Sequence, residues 1–200
     1  KYFMPKLIGQ FCKKHPSIDI ALEILNRDGV VTRMRDNLDD LYIMSQPPQD
    51  MALQDEVFLG NPLIPIASLG HPLTKKNHLT LAQLSKQRFI LREKGSGTRM
   101  MADKFFKKHR FKADIRMELG SNEAIKEAVA AGLGIGIISK HALHGLLKSN
   151  GVTQLQVTGF PISSYWHIVH PAKKQLPPIA VAFKEHLLSS LSKEKLSSSF

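Results

Sequence analysis

Cysteine occurs once in the 200 residues, at Cys12. A lone thiol excludes an intrachain disulfide and leaves no thiolate cluster for a structural zinc ion or a redox pair. Its place on the apolar side of a helical stretch marks it as a buried structural thiol. Long apolar runs are missing as well: none nears the ~20 residues a membrane span requires, and no charged-then-apolar leader is visible. Acidic residues are scarce, with 17 Asp plus Glu against 28 Lys plus Arg, a net charge of +11. Such an excess favours an anionic partner, whether nucleic acid, an acidic lipid surface or a charged metabolite. Much of it sits in short pairs, Lys13-Lys14, Lys75-Lys76, Lys107-Lys108 and Lys173-Lys174, which read as solvated faces. The dense basic clustering with interleaved aromatics that single-strand binders use is not evident.

Catalytic and metal-binding patterns are equally thin. The nine histidines include no His-Glu-x-x-His, and His141 with His144, though spaced for a metal, reads as a pair of surface polar residues. There is no Gly-x-Ser-x-Gly elbow, and Asp39-Asp40, Asp55-Glu56 and Glu118 form no constellation with a histidine or serine. Asp39 and Asp40 read as turn or cap residues. Neither an enzyme nor a cofactor or metal is expected.

What the chain does contain is alternation of helical and extended signals. Met4, Leu7, Ile8, Phe11 and Cys12 follow the helical period from Pro5 to the stop at His15-Pro16. Ile18, Ile20, Leu22 and Ile24 alternate as a strand closed by a turn, Asn26-Arg27-Asp28-Gly29. A short helix through Val30, Met34 and Leu38 leads to a strand at Leu41 to Met44. Further strands are expected at Val57 to Leu59, Leu63 to Ala67, Phe89 to Leu91, Ile115 to Leu119, Thr153 to Val157 and Tyr165 to His170. Helices are expected at Thr80 to Leu84, Thr98 to His109, Ser121 to Gly132, Ser139 to Leu147 and Pro178 to Leu191, with Ser197-Ser198-Ser199 as a frayed tail. Phe105, Phe106 and Trp166 read as core. This order predicts an α/β fold with mostly parallel sheets and ligand contacts in the loops that follow strands.

One such loop stands out, in LREKGSGTRMMADKFF from Leu91 to Phe106. A helix starting just after Gly-Ser-Gly presents unpaired N–H groups, and the glycines allow close approach to them, which makes an anion seat. Ser96 and Thr98 add hydroxyls, and Arg99 adds a forked cation. Gly120-Ser121-Asn122 offers a second helix start of like chemistry. The pattern lacks the Gly-Lys-Ser/Thr of a phosphate-binding loop, and ordinary capping explains the same residues. Gly132-Leu133-Gly134-Ile135-Gly136 follows a helix and precedes a strand, the reverse of a dinucleotide fingerprint, and reads as packing.

In order and spacing, KYFMPKLIGQF…HPSIDIAL (1–22), LDD (38–40), GHPL (70–73), FILREKGSGTR (89–99) and ELGSNEAIKEAVAAGLGIGIIS (118–139) resemble the effector-binding domain of LysR-type transcriptional regulators. The resemblance covers nearly the whole chain. It is greatest to the branch that controls carbon dioxide fixation and inorganic carbon uptake in autotrophic bacteria and cyanobacteria. It implies two Rossmann-like lobes of the type II periplasmic-binding-protein fold joined by two crossing strands, with lobe I at 1–61 plus 166–200 and lobe II at 62–165. A small anionic metabolite would bind in the inter-lobe cleft, with ribulose bisphosphate, 2-phosphoglycolate and 2-oxoglutarate as candidates. Carried over by position, its contacts would be Asn26, Arg27, Ser45 and Gln46 from lobe I, and Lys94, Ser96, Thr98, Arg99, Ser121 and Asn122 from lobe II. Asn26 stands where the family often has threonine.

The family places a further lobe I strand ahead of Lys1, and a winged helix-turn-helix upstream of that. The sequence therefore reads as an excised domain of a cytoplasmic regulator that touches DNA through the upstream segment and no membrane at all. A homodimer or tetramer is implied, with Pro5 to His15 and Ser121 to Ala131 as contact helices. A free-standing solute receptor for a small anion is the alternative reading, and an enzyme on the same scaffold a third.

Overall fold

A computed structural model describes residues 2–143 and 151–197. His144, the far part of the helix expected to reach Leu147, and the tail residues Ser198 and Ser199 lie outside the described residues. The chain divides into two units, Lys1–Leu59 with Tyr165–Phe200, and Gly60–Ser164.

In the first unit, helix α1 (Met4–Lys14) carries its proline in the first turn, where the missing N–H costs nothing, and buries Met4, Leu7 and Phe11. Phe11 meets Phe183 of helix α6 (Pro178–Ser197) with ring centroids 5.0 Å apart. Cys12 is half-buried, its thiol facing the Ile18 carbonyl. The expected strand at Ile18 to Ile24 does not form among the described residues, and Leu22, Ile24 and Leu25 are 42%, 57% and 47% exposed. Alternation specifies a face, but a strand exists only where a neighbour supplies the ladder, and no described segment does so.

The Asn-Arg-Asp-Gly stretch is not a hairpin-type turn either. It opens helix α2 (Arg27–Arg35), with the Asn26 Oδ1 accepting the Gly29 N–H at 3.0 Å. Short polar side chains suit turns and N-caps for one reason, their reach to a nearby backbone N–H, so the sequence did not separate the two. Leu38, assigned to this helix by periodicity, lies beyond it and is exposed. Strands β1 (Tyr42–Met44), β2 (Leu53–Gly60) and β8 (Tyr165–Pro171) form a sheet in the order β1-β8-β2, with Tyr42 opposite Val169 in antiparallel register. Asp39 does more than turn the chain. Arg33 donates to both its carboxylate oxygens at 2.8 and 2.6 Å, which holds the carboxyl below its ordinary range. The Tyr42 hydroxyl, whose pKa is raised by burial, joins them by accepting from Asp39 N and donating to Arg33 O.

The second unit is built on five strands, β3 (Leu63–Ser68), β4 (Arg88–Arg92), β5 (Asp114–Leu119), β6 (Ile135–Ser139) and β7 (Val152–Gln154), ordered β5-β4-β6-β3-β7. Helices α3 (Leu81–Leu84), α4 (Gly97–Lys108) and α5 (Asn122–Ala130) connect them. The sheet is mixed rather than mostly parallel: β4 runs parallel to β5 and β6, whereas β3 is antiparallel to β6 and β7. Parallel neighbours arise where a crossover helix returns the chain, as α4 and α5 do, and β3 and β7 join the sheet from outside those crossovers. After Ser139 only a short 3-10 turn, Lys140–Ala142, is described in place of the start of a longer helix.

Leu63, Phe89, Leu91, Ile135 and Ile137 are essentially solvent-free at the centre of this unit. Each contributes about 1.5–3 kcal/mol by leaving water. Phe105 and Phe106 of α4 are buried with them, as expected. Gly134 and Gly136 are the packing motif the sequence suggested. A Cβ at Gly134 would stand 2.4 Å from the Arg88 carbonyl oxygen, and one at Gly136 2.8 Å from Ile125 Cγ2.

Candidate anion-binding site

The loop between β4 and α4 turns on Gly95, whose φ of 86° lies where a side chain is strained. Ser96 then caps α4: its Oγ accepts the Arg99 N–H at 3.1 Å, and its carbonyl accepts the Met100 N–H at 3.0 Å. The N–H groups of Gly97 and Thr98 have no protein acceptor among the described residues. They are the open donors of a 12-residue helix, reinforced by its positive dipole end. A hydroxyl that accepts a cap bond keeps its own hydrogen to donate, so Ser96 and Thr98 add two O–H donors.

The neighbouring loop lies alongside. Strands β4 and β5 are parallel, with Arg92 opposite Leu119, and Glu93 N donates to Leu119 O at 3.2 Å. The β4–α4 and β5–α5 loops therefore leave adjacent strands at the same edge. Ser121 caps α5 by accepting the Ala124 N–H at 3.1 Å, and Asn122 is buried beside it.

Arg99, expected as an effector contact, has internal partners in this structure. Only 5% exposed, it donates Nε to both Asp103 oxygens at 3.0 Å, and Nη1 to the Arg92 carbonyl at 3.0 Å and to Glu118 Oε1 at 2.8 Å. Burial opposes its charge, but the bonds to Glu118 and Asp103 outweigh that and keep its pKa above the ordinary arginine value. Glu118 in turn is held below its usual range, by the hydrogen bond from Arg99 first and by the nearby charges of Arg99 and Lys94. Two of its three nitrogens, Nε and Nη1, are engaged from within, and Arg99 ties the loop to β5. Lys94, exposed and in no ion pair among the described residues, is the cation that remains available.

In the first unit, Asn26, Arg27, Ser45 and Gln46 are also brought together. Arg27 Nε donates to the Gln46 carbonyl at 2.7 Å and Nη1 to Asp28 at 3.1 Å. That bond secures Gln46 at a φ of 56° at the end of β1, next to the buried Ser45. Asn26 has spent its carbonyl oxygen on the α2 cap.

The family model described as the LysR substrate binding domain matches residues 1–192. The chain belongs to that family. The RuBisCO operon transcriptional regulator of Acidithiobacillus ferrooxidans is 44% identical over 190 residues, which are 95% of this chain and 62% of that protein. The HTH-type transcriptional activator CmpR of Synechocystis is also 44% identical, over 94% of this chain and 62% of its own length. This LysR domain thus spans less than two thirds of these relatives, whose names are those of regulators, not enzymes. Among solved structures, the CcmR regulatory domain of Synechocystis in complex with 2-PG aligns with a TM-score of 0.90 at 41% identity, covering 94% of this chain and 91% of that one. The effector-binding domain of QuiR in complex with shikimate aligns at 0.85 with 20% identity, a likeness of fold alone. The architecture is the type II periplasmic-binding-protein fold.

Other residues of the LysR domain are engaged internally. His141, weighed above as half of a metal pair, has its Nε2 2.8 Å from the Gly60 carbonyl. Ser139 Oγ donates to Asn61 Oδ1 at 2.6 Å and accepts the His141 N–H at 3.2 Å. Among the described residues no group of three or more His, Cys, Asp or Glu is placed to hold a metal, and no helix is long and apolar enough to cross a membrane. Glu118 and Asp103 are the site-shaping residues that sequence reasoning missed. Asp103 was visible as the i,i+4 partner of Arg99, whereas Glu118 comes from another strand and left no local signal.

Proposed function

We propose that this LysR domain is the effector sensor of a regulator of carbon-fixation or inorganic-carbon-uptake genes, and that the β4–α4 loop seats the anionic group of a phosphorylated or carboxylated metabolite. The observation that carries the reading is the pair of open N–H groups at Gly97 and Thr98, at the positive end of α4. Each charge-assisted hydrogen bond there contributes about 1.5–3 kcal/mol when water is excluded. Ser96 and Thr98 donate hydroxyl hydrogens to the same group, Ser121 and Asn122 reach it from the adjoining loop, and Lys94 adds a flexible cation. Arg99 acts as a positioning residue. Asn26, Arg27, Ser45 and Gln46 form a separate polar set in the first unit and are also assigned to effector contact in this proposal.

The names of the relatives support the gene class, and 2-PG in the CcmR domain supports a small anion. 2-Phosphoglycolate is the first candidate, with ribulose bisphosphate and 2-oxoglutarate as competitors. In the whole regulator, DNA contact through an upstream winged helix-turn-helix, assembly as a dimer or tetramer, and a cytoplasmic location belong to the same proposal. The effector would act by binding one conformational state more tightly than another.

Calorimetric titration with the three metabolites, with unphosphorylated glycolate as the reference, tests it. The expected result is saturable binding of 2-phosphoglycolate at least about tenfold tighter than glycolate, the equivalent of one good charged contact. Absence of binding by every anion overturns the reading.

A further inference from the structure

Helix α4 ends in the run KFFKKHRFK, 104–112. Its phenylalanines, Phe105, Phe106 and Phe111, turn into the core of the second unit, and Lys104, Lys107, Lys108, Arg110 and Lys112 are all exposed. In sequence, Lys107-Lys108 reads as an ordinary solvated pair. The fold shows a larger feature, because Lys104, Lys107 and Lys108 share a helix face at i, i+3 and i+4 while Arg110 and Lys112 extend it around the end of the helix.

Two observations set this patch apart. The flanking carboxylates are both taken by arginines outside it, Asp103 by Arg99 at 3.0 Å and Asp114 by Arg88 at 3.6 Å. Some cations elsewhere are paired, as in Arg33–Asp39, Arg35–Asp50 and Lys184–Glu56, and others, Lys94 among them, are not; what is particular here is five such cations within the nine residues 104–112. None of the five cations here has a carboxylate partner among the described residues. In addition, Arg110 occupies the left-handed position after the helix, at φ 50°, where glycine would be unstrained. The helix dipole accounts for Lys107 and Lys108 in the last turn, but not for Lys104, Arg110 or Lys112. Like charges at this spacing destabilise the helix, so the cluster is costly to the fold on its own.

We infer that the end of α4 is a phosphate-backbone contact surface for duplex DNA. A row of exposed, flexible cations, with the neighbouring phenylalanines turned into the core, suits backbone neutralisation. It does not suit base stacking on a single strand, which needs exposed rings. The choice of DNA over another polyanion rests on the regulator reading above, which keeps a duplex near this domain. The contact is independent of sequence, and adds affinity and orientation to a recognition segment elsewhere.

Fluorescence anisotropy of this chain with a labelled duplex of arbitrary sequence provides the test. The patch variant carries Lys104→Gln, Lys107→Gln, Lys108→Gln, Arg110→Asn and Lys112→Gln, with asparagine chosen because it tolerates the left-handed backbone. A charge-matched control carries glutamine at Lys13, Lys14, Lys75, Lys76 and Lys173, all exposed in this structure. The patch variant is expected to bind at least about tenfold more weakly at low salt, with a slope of log K against log salt shallower by about 3–4, the loss of roughly four phosphate contacts. The control keeps most of the binding. Equal loss in both variants reduces the effect to net charge and overturns the inference. So does an unbound wild type, or a wild type that prefers single-stranded RNA or anionic vesicles over the duplex. Titration of both variants with 2-phosphoglycolate separates the two proposals: intact effector binding beside unchanged DNA binding sinks only the DNA surface, and loss of effector binding by wild type sinks the sensor reading.

Discussion

Arg99 Nη1 donates to Glu118 Oε1 at 2.8 Å, joining the first turn of α4 to the end of β5. Arg99 is 6% exposed as a side chain and Glu118 37%, so the bond runs from the interior to the rim. The loop bearing Ser96 and Thr98 is thereby fixed by a strand it does not touch in sequence.

Removing that tie costs stability. Arg99→Ala leaves the Arg92 carbonyl and two carboxylates without their donor, and a loss of about 2 kcal/mol is expected from severed charged hydrogen bonds. Urea denaturation measures it. Arg99→Lys, which keeps charge but cannot fork, recovers less than half. Full recovery by lysine means the geometry is unimportant.

Lys94 separates binding from folding. Lys94→Ala is expected to weaken 2-phosphoglycolate binding by about tenfold, the scale of one exposed charged contact, while leaving the unfolding midpoint in place. Ser96→Ala, by contrast, lowers affinity and also costs about 1 kcal/mol of stability through the lost cap. A Lys94 variant with wild-type affinity removes the lysine from the site.

Acid weakens the fold through two carboxyls held low, Glu118 below 4.5 and Asp39 below 3.8, each chiefly by the hydrogen bond from its arginine. A depressed folded pKa adds stability that is complete above the unfolded value and disappears as pH falls through the folded one. Thermal unfolding of wild type should therefore fall between about pH 5 and pH 2, and Glu118→Gln should flatten part of that slope. A Glu118→Gln profile parallel to wild type over this range contradicts the assignment.

Two glycines should respond in opposite directions. Gly134→Ala drives a methyl against the Arg88 carbonyl oxygen, 2.4 Å away, and backbone yields poorly. A loss of about 2–3 kcal/mol is expected from such overpacking. Gly9 lies exposed in α1, and a methyl there would meet nothing within 4 Å, so Gly9→Ala gains about 0.5–1 kcal/mol.

Features that a residue makes with its own neighbours were readable from the sequence. Ser96 and Ser121 cap their helices, because a cap needs only a short side chain and an N–H three residues on. The open N–H groups at the start of α4 were legible for that reason. Features decided at a distance were not. Nothing in Arg99-Met100-Met101 reveals that Glu118 closes over the guanidinium, and nothing in Ile18 to Ile24 reveals whether a partner strand is at hand. The antiparallel entry of β3 is likewise a property of the sheet, absent from any one strand.

The closure of Arg99 by acid also sets the ionic character of the seat. Lys94 and Arg99 stand with Asp103 and Glu118, so the formal charges around the α4 start cancel. The effector proposed above would be held there mainly by aimed N–H and O–H groups at contact range, which dissolved ions screen little. Only the share owed to exposed Lys94 is open to screening, so affinity should fall by no more than about tenfold as sodium chloride is raised from about 50 to 200 mM, an interval over which phosphate-backbone contacts on a duplex are weakened far more. One small domain would then answer to metabolite level across changes in ionic strength that loosen its grip on a polyanion.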